Sequence, residues 1–147
     1  MNSGIFRKIM VATDGTEASE KAVNTAIEIA KMTGAKLYAL HVIAMGFFSM
    51  TLDTSEDWEK AFAQKVATEG REAIIYVENA GKAANVKVES LILRGSPSEG
   101  IIEFAEKNDV DLIIVATHGM TGVKGLLNAS IADNVVQHSN KSVLVVR

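Results

Sequence analysis

Between Val115 and Ile131 the chain reads Val-Ala-Thr-His-Gly-Met-Thr-Gly-Val-Lys-Gly-Leu-Leu-Asn-Ala-Ser-Ile, an apolar run that passes into a helical pattern through a glycine-rich loop. The three glycines of that loop leave little side-chain bulk to keep a ligand off the backbone. Main-chain N–H groups and the N-terminus of the following helix carry partial positive charge there, which suits a phosphate. At the other end of the chain Ile9-Met-Val-Ala-Thr-Asp14-Gly15 is a second apolar run, and it ends abruptly in a carboxylate. Asp14 can serve a ligand, or it can cap a helix or shape the turn before Gly15; the residue types alone leave both roles open.

Other chemistries fit the residues less well. The glycine loop contains neither the Gly-x4-Gly-Lys-Ser/Thr pattern of a P-loop nor the Gly-x-Gly-x-x-Gly dinucleotide fingerprint. Lys124 is a candidate phosphate contact, although solvated loop lysines are common. His118 invites a catalytic role, yet a lone loop histidine more often acts as a hydrogen-bonding spacer. His41 and His138 fall on different elements, and no His-x3-His or His-Glu-x2-His pairing occurs, so no metal site is expected. Ser130 lies outside any Gly-x-Ser-x-Gly elbow and reads as a helix cap that also donates to phosphate. No second acid adjoins Asp14 to build a phospho-acceptor site, and position 16 is Thr rather than the Asp of haloacid-dehalogenase-type enzymes.

Composition narrows the class. With 147 residues and 48% apolar content, one domain spanning 1–147 can bury a core unaided. The net charge is −3 and no basic stripe interleaved with aromatics is present, which argues against nucleic acid as a partner. The absence of cysteine excludes disulfides and thiol chemistry. The N-terminal residues enter the first strand without a hydrophobic signal region, and no apolar run reaches ~18 residues. A soluble cytoplasmic domain with no membrane partner is expected.

Apolar β-branched runs alternate with helical patterns along the chain. Strands are expected at Lys8–Thr13, Ala35–Ile43, Val86–Leu93, Val110–Ala116 and Ser142–Val146. Thr16 can cap a first helix that carries Ala22, Val23, Ala26, Ile27 and Ala30 on one face, with Gly34 as its C-terminal stop. Ser55–Gly81 is a long helical pattern weakened by Gly70. Ser96-Pro97-Ser98-Glu99 has the form of a capping box with proline at the first helical position, and a last helix runs from about Ser130 to Ser139. Strands without clean alternation, separated by helices, indicate a parallel sheet covered on both faces. Ligands of such sheets sit beyond the carboxyl ends of the strands, where the winding reverses. If strands one and four are neighbours, Asp14 and the glycine loop flank one crevice.

These segments together resemble the universal stress protein family over nearly the whole chain. The resemblance rests on Val11-Ala-Thr-Asp-Gly15, on His41-Val42 closing the second strand, on the glycine loop, and on Asn134-Val-Val-Gln-His-Ser-Asn-Lys-Ser-Val-Leu-Val-Val146. It implies an α/β fold, a three-layer α/β/α open sheet of five parallel strands in the order 3-2-1-4-5, of the adenine nucleotide alpha hydrolase-like kind, and a homodimer. Many members bind ATP through Gly, two residues, Gly, nine residues, then Gly with Ser or Thr. Here those positions read Ala116, Thr117-His118, Gly119, Met120–Asn128, Ala129 and Ser130, so two motif glycines are alanines. Ala132 also stands where a hydroxyl residue often helps hold phosphate. A methyl at such a position is tolerable where the local φ is negative and obstructive where it is positive.

Carried over residue by residue, the resemblance implies that Asp14 accepts from the ribose hydroxyls. Ala12 and Val115 would line the adenine slot, and Val42 would read the adenine edge through its main chain. Ala116 and Gly119 would follow ribose and phosphate, while Ser130 and the N–H groups of Ala129 and Ile131 would hold the terminal phosphates. The expected function is that of a small ATP-binding regulatory or stress-response protein acting through dimerisation and an unidentified protein partner. AMP or another adenylate, and Mg accompanying the phosphates, also fit. The alternative is a dimeric interaction module of the same family that binds no nucleotide, which Ala116 and Ala129 favour. A weak phosphohydrolase using Asp14 and His118 is the third possibility. Two apolar stretches suit contacts: Met45–Leu52 as a lid, partner surface or short core helix, and Ser142–Val146 as an edge strand that pairs with its copy across a two-fold axis.

Overall fold

The computed structural model describes residues 5–15, 17–43, 71–117 and 129–147. In chain order the elements are β1 (Lys8–Thr13), α1 (Glu17–Thr33), β2 (Lys36–Ile43), α2 (helical over 71–83), β3 (Val88–Arg94), α3 (Pro97–Lys107), β4 (Leu112–Ala116), α4 (Ala129–His138) and β5 (Ser142–Val146). The strands form one sheet in the order β3-β2-β1-β4-β5, and every neighbouring pair is parallel. The parallel sheet is what the alternation of apolar strands and helical patterns predicts, and the strand order is the one that the family resemblance implies.

Successive residues of the central strand point to opposite faces and divide the core in two. Ile9 and Val11 pack with Val23, Ala26, Ile27 and Ala30 of α1 and Val77 of α2. Met10 and Ala12 pack with Ile101 and Ala105 of α3 and Ala132 and Val135 of α4. β1 and β4 are buried on both faces, which is why neither alternates apolar with polar. Tyr38 of β2 meets Phe104 of α3 edge to face at 5.3 Å, tying the second core to the sheet.

Helix ends account for where the strands begin. Gly34 takes φ +74° and donates its N–H to the Ala30 carbonyl at 2.8 Å, the expected glycine stop. The same left-handed position is filled by Asn85 (φ +58°) after α2 and Asp109 (φ +53°) after α3. The Val86 N–H then bonds the Gly81 carbonyl and the Val110 N–H bonds the Ala105 carbonyl, each reaching back five residues. Those N–H groups are committed to helix caps, so β3 starts at Val88 rather than Val86, and β4 at Leu112 rather than Val110. The expected capping box at Ser96 is corrected in one respect. Ser96 has the extended backbone of a cap (φ −71°, ψ 118°) and its carbonyl accepts from Gly100 N–H, but its hydroxyl makes no capping bond among the described residues. Ser96 is exposed, and water competes for the same donors.

At the amino edge of the sheet the Asp111 carboxylate accepts from the adjacent N–H groups of Arg7 and Lys8 at 2.8 and 3.0 Å. The Asp111 N–H in turn donates to the Lys8 carbonyl at 2.7 Å. Hydrogen bonds to a charged acceptor contribute more than neutral ones. We expect Asp111→Ala to lower stability by about 2 kcal/mol, read as a fall in the urea midpoint at unchanged slope, and Asp111→Asn to cost less.

Candidate functional site

β1 and β4 pair over only three positions, from Ile9↔Leu112 to Val11↔Ile114. Both strands run on, β1 to Thr13 and β4 to Ala116, so the ladder closes before its strands end. On the outer sides pairing continues, to Thr13↔His41 between β1 and β2 and to Ala116↔Val146 between β4 and β5. The sheet therefore parts between its first and fourth strands at the carboxyl edge. This is where the winding reverses, and it is the place where open parallel sheets bind ligands.

Three features fix the walls of the cleft. Asp14 follows β1 directly; its Oδ1 accepts from the Ser19 hydroxyl at 2.6 Å, and its N–H donates to the same hydroxyl oxygen at 3.2 Å. Gly15 turns the chain into α1 at φ +83°, and a Cβ there would stand 3.6 Å from the Ala73 methyl and 3.9 Å from the buried His41 ring. Across the gap, Thr117 donates its N–H to the Val146 carbonyl at 3.0 Å, with its hydroxyl also within 3.4 Å. That pair holds the start of the glycine loop toward β5 and away from β1. The β4-to-β5 connection also brings the N-terminus of α4 to this edge. α1 and α3 carry Glu17, Glu20 and Glu99 in their first turns, whereas α4 has no acid in its own. An anion placed at α4 meets N–H groups without a competing carboxylate from that turn.

The residues singled out from the sequence fall as follows. Asp14, Val42, Val115 and Ala116 lie at the carboxyl ends of β1, β2 and β4, and Ala129, Ser130 and Ile131 form the first turn of α4. Val42 pairs with Leu93 one position beyond the last β1–β2 pair, so β2 overhangs β1 at the cleft. Ala12 and Val115 are buried together in the core under α3 and α4, while Ala116 packs in the opposite core under α1. Ser130 is exposed and Ile131 half-buried. Gly119, Lys124 and His118, the cap residue Thr16, the Met45–Leu52 stretch and the start of the Ser55–Gly81 helix lie outside the described residues. Two positions escaped the sequence: Ser19, whose signal is a hydroxyl five residues after the strand-ending Asp14, and Thr117, whose partner is 29 residues away.

A family model described as the universal stress protein family matches residues 5–147. The chain belongs to the universal stress protein family. It is 36% identical to the universal stress protein MJ0531 of Methanocaldococcus jannaschii, over 97% of this chain and 83% of that one. The solved structure of MJ0577 from the same organism superposes with a TM-score of 0.79 at 31% identity, covering 97% of this chain and 96% of the other. A universal stress protein solved in complex with cAMP is 27% identical with a TM-score of 0.69, covering 97% and 98%.

A second hollow, of about 470 Å³, lies at the amino edge of the sheet beside Gly34 and Asn85 and is lined by Lys31, Lys36 and Lys87. Lys36 pairs with Glu89 at 2.9 Å, and that hydrogen bond raises the pKa of its ammonium above the ordinary value. Among the described residues no cluster of three His, Asp or Glu side chains could hold a metal ion, and no helix is long and apolar enough to cross a membrane.

The left-handed turn at Gly15 would strain most other residues. Gly15→Ala should cost about 1–2 kcal/mol, measured by urea unfolding, with Gly15→Asn costing less because Asn tolerates the left-handed region better.

Proposed function

We propose that the chain binds an adenine nucleotide, ATP foremost, in the cleft between β1 and β4, and acts as a regulatory stress-response protein. The observation that carries this reading is the parting of β1 from β4 at the carboxyl edge, with Asp14 on one wall and the acid-free first turn of α4 on the other. The likeness to a relative solved with cAMP supports it at the level of the ligand class. In this reading Asp14 accepts from the ribose hydroxyls, Val42 addresses the adenine edge through its main chain, and Ala12 and Val115 form the apolar floor. Ala116 and Gly119 follow the ribose and phosphates. Ser130, with the N–H groups of Ala129 and Ile131, takes the terminal phosphates, and Lys124 adds a charge.

The two motif alanines favour the interaction module only if their methyl groups obstruct the ligand. Ala116 lies in a β-strand and Ala129 in an α-helix, both with negative φ, and the only non-glycine residues at positive φ among those described are Asn85 and Asp109. The Ala116 methyl is buried in the core under α1. Neither substitution demands a backbone that alanine resists, so the backbone supports the nucleotide reading. Dimerisation through the half-buried edge strand β5, a protein partner and a cytoplasmic setting complete the proposal.

Mg-ATP at about a hundred times its Kd should add about 2.7 kcal/mol to stability, a rise of about 5–10 °C in Tm. Asp14→Ala should remove most of that shift, whereas retained dimerisation with an unchanged melt in ATP would favour the interaction module. We further expect Ala129→Gly to leave the Kd for ATP within about threefold of the parent value, because the helical backbone there suits alanine as well as glycine. Tightening of tenfold or more in calorimetry would show that the methyl obstructs the ligand.

A further inference from the structure

We infer that Ser19 is a positioning residue for nucleotide recognition: its hydroxyl fixes the Asp14 carboxylate in the orientation that reads ribose. The inference rests on the adenylate reading of the cleft and deepens it. Ser19 lies in the first turn of α1 and is completely buried. A buried hydroxyl costs free energy unless it is hydrogen-bonded, and a serine inside a helix commonly bonds back to a carbonyl four residues earlier. The Ser19 hydroxyl reaches out of the helix to Asp14, donating to Oδ1 at 2.6 Å while its oxygen accepts the Asp14 N–H at 3.2 Å. The shorter contact falls in the range of charge-assisted O–H···O⁻ bonds, which are about twice as strong as neutral ones.

Both bonds end on one oxygen, so Ser19 closes a ring that includes the main chain and the carboxylate of Asp14. The ring ties the side-chain rotamer of Asp14 to the backbone at the end of β1. Any freedom a carboxylate must give up on binding weakens affinity, and these two bonds take part of it away beforehand. Holding the carboxylate in this way lets a diol that matches its orientation bind with less of that loss. Because Ser19 sits beneath Asp14 and is sealed from solvent, it acts on the ligand through Asp14 and not by contact. Its removal should therefore be felt by ligands that present ribose hydroxyls and not by those that lack them. A serine that served only to start α1 would show no such selectivity.

The test compares ATP with 2′,3′-dideoxy-ATP, by calorimetry on the full chain, for the parent protein and Ser19→Ala. The parent should bind ATP about tenfold more tightly than the dideoxy analogue. Ser19→Ala should weaken ATP binding severalfold, leave the analogue unchanged, and bring the ratio to within about threefold. An unchanged ratio, or equal losses for both ligands, would overturn the role of Ser19 while leaving the adenylate site intact. Failure of the parent protein to bind either ligand would overturn the adenylate reading and this inference with it. Should Ser19→Ala not fold, Ser19→Cys, close in size but a weak donor, is read by the same ratio.

Discussion

The Arg7-Lys8 dipeptide at the base of the central strand is the point from which the rest of the sheet is set. Asp111 grips both of its N–H groups and returns its own N–H to the Lys8 carbonyl, which places β4 against β1. The Lys36 N–H donates to the Arg7 carbonyl at 2.9 Å, which places β2 on the other side. Three strands thus take their register from two residues. A slip of one residue would exchange Ile9 and Val11 for Met10 and Ala12 between the two cores, and both helix layers would lose their fit. With the base fixed, the strands can part at the far edge without loss of order.

Side-chain size is graded along the same direction. After Lys8, β1 carries Ile9, Met10 and Val11, then narrows to Ala12, Thr13 and the Gly15 turn; β4 runs from Leu112, Ile113 and Ile114 to Val115 and Ala116. Bulky residues seal the sheet where the ladder is continuous, and small ones follow where it opens. A cleft needs this taper as well as the parting of the strands, because large side chains at those ends would fill the gap. The two hydroxyls that brace it, Ser19 under Asp14 and Thr117 on Val146, belong to elements that diverge from it on opposite sides.

Much of this was legible in the sequence because burial leaves a pattern. Five apolar β-branched runs separated by helical spacing predict the parallel sheet, and the adjacency of β1 and β4 that a crevice beside Asp14 requires is met. Gly34 was readable as a helix stop because glycine has few other reasons to stand there. Asn85 and Asp109 do the same work and were missed, since Asn and Asp also serve as caps, turns and surface residues; the strand starts were accordingly placed two residues early. Ser96 shows the opposite error, a motif present in sequence whose side-chain capping bond is not formed among the described residues. The Thr117–Val146 bond is long-range, and no local pattern encodes it. Whether the motif alanines sit at permissive φ also required the backbone itself.

The two edges of the sheet carry opposite fields, and this bears on which one suits an anion. Among the described residues the strands run toward the carboxyl edge and the helices between them return, so the N-termini of α1, α3 and α4 lie at that edge and helix C-termini at the other. At the amino edge the ends of α1 and α2 present carbonyl oxygens beside Lys31, Lys36 and Lys87. Three lysines invite a phosphate reading there, but cations beside helix C-termini answer the negative ends of those dipoles. One of the three is also engaged by Glu89. At the carboxyl edge the sign is reversed, and the first turn of α4 carries no acid of its own. The direction of the backbone, more than the count of lysines, selects the edge that suits an anion.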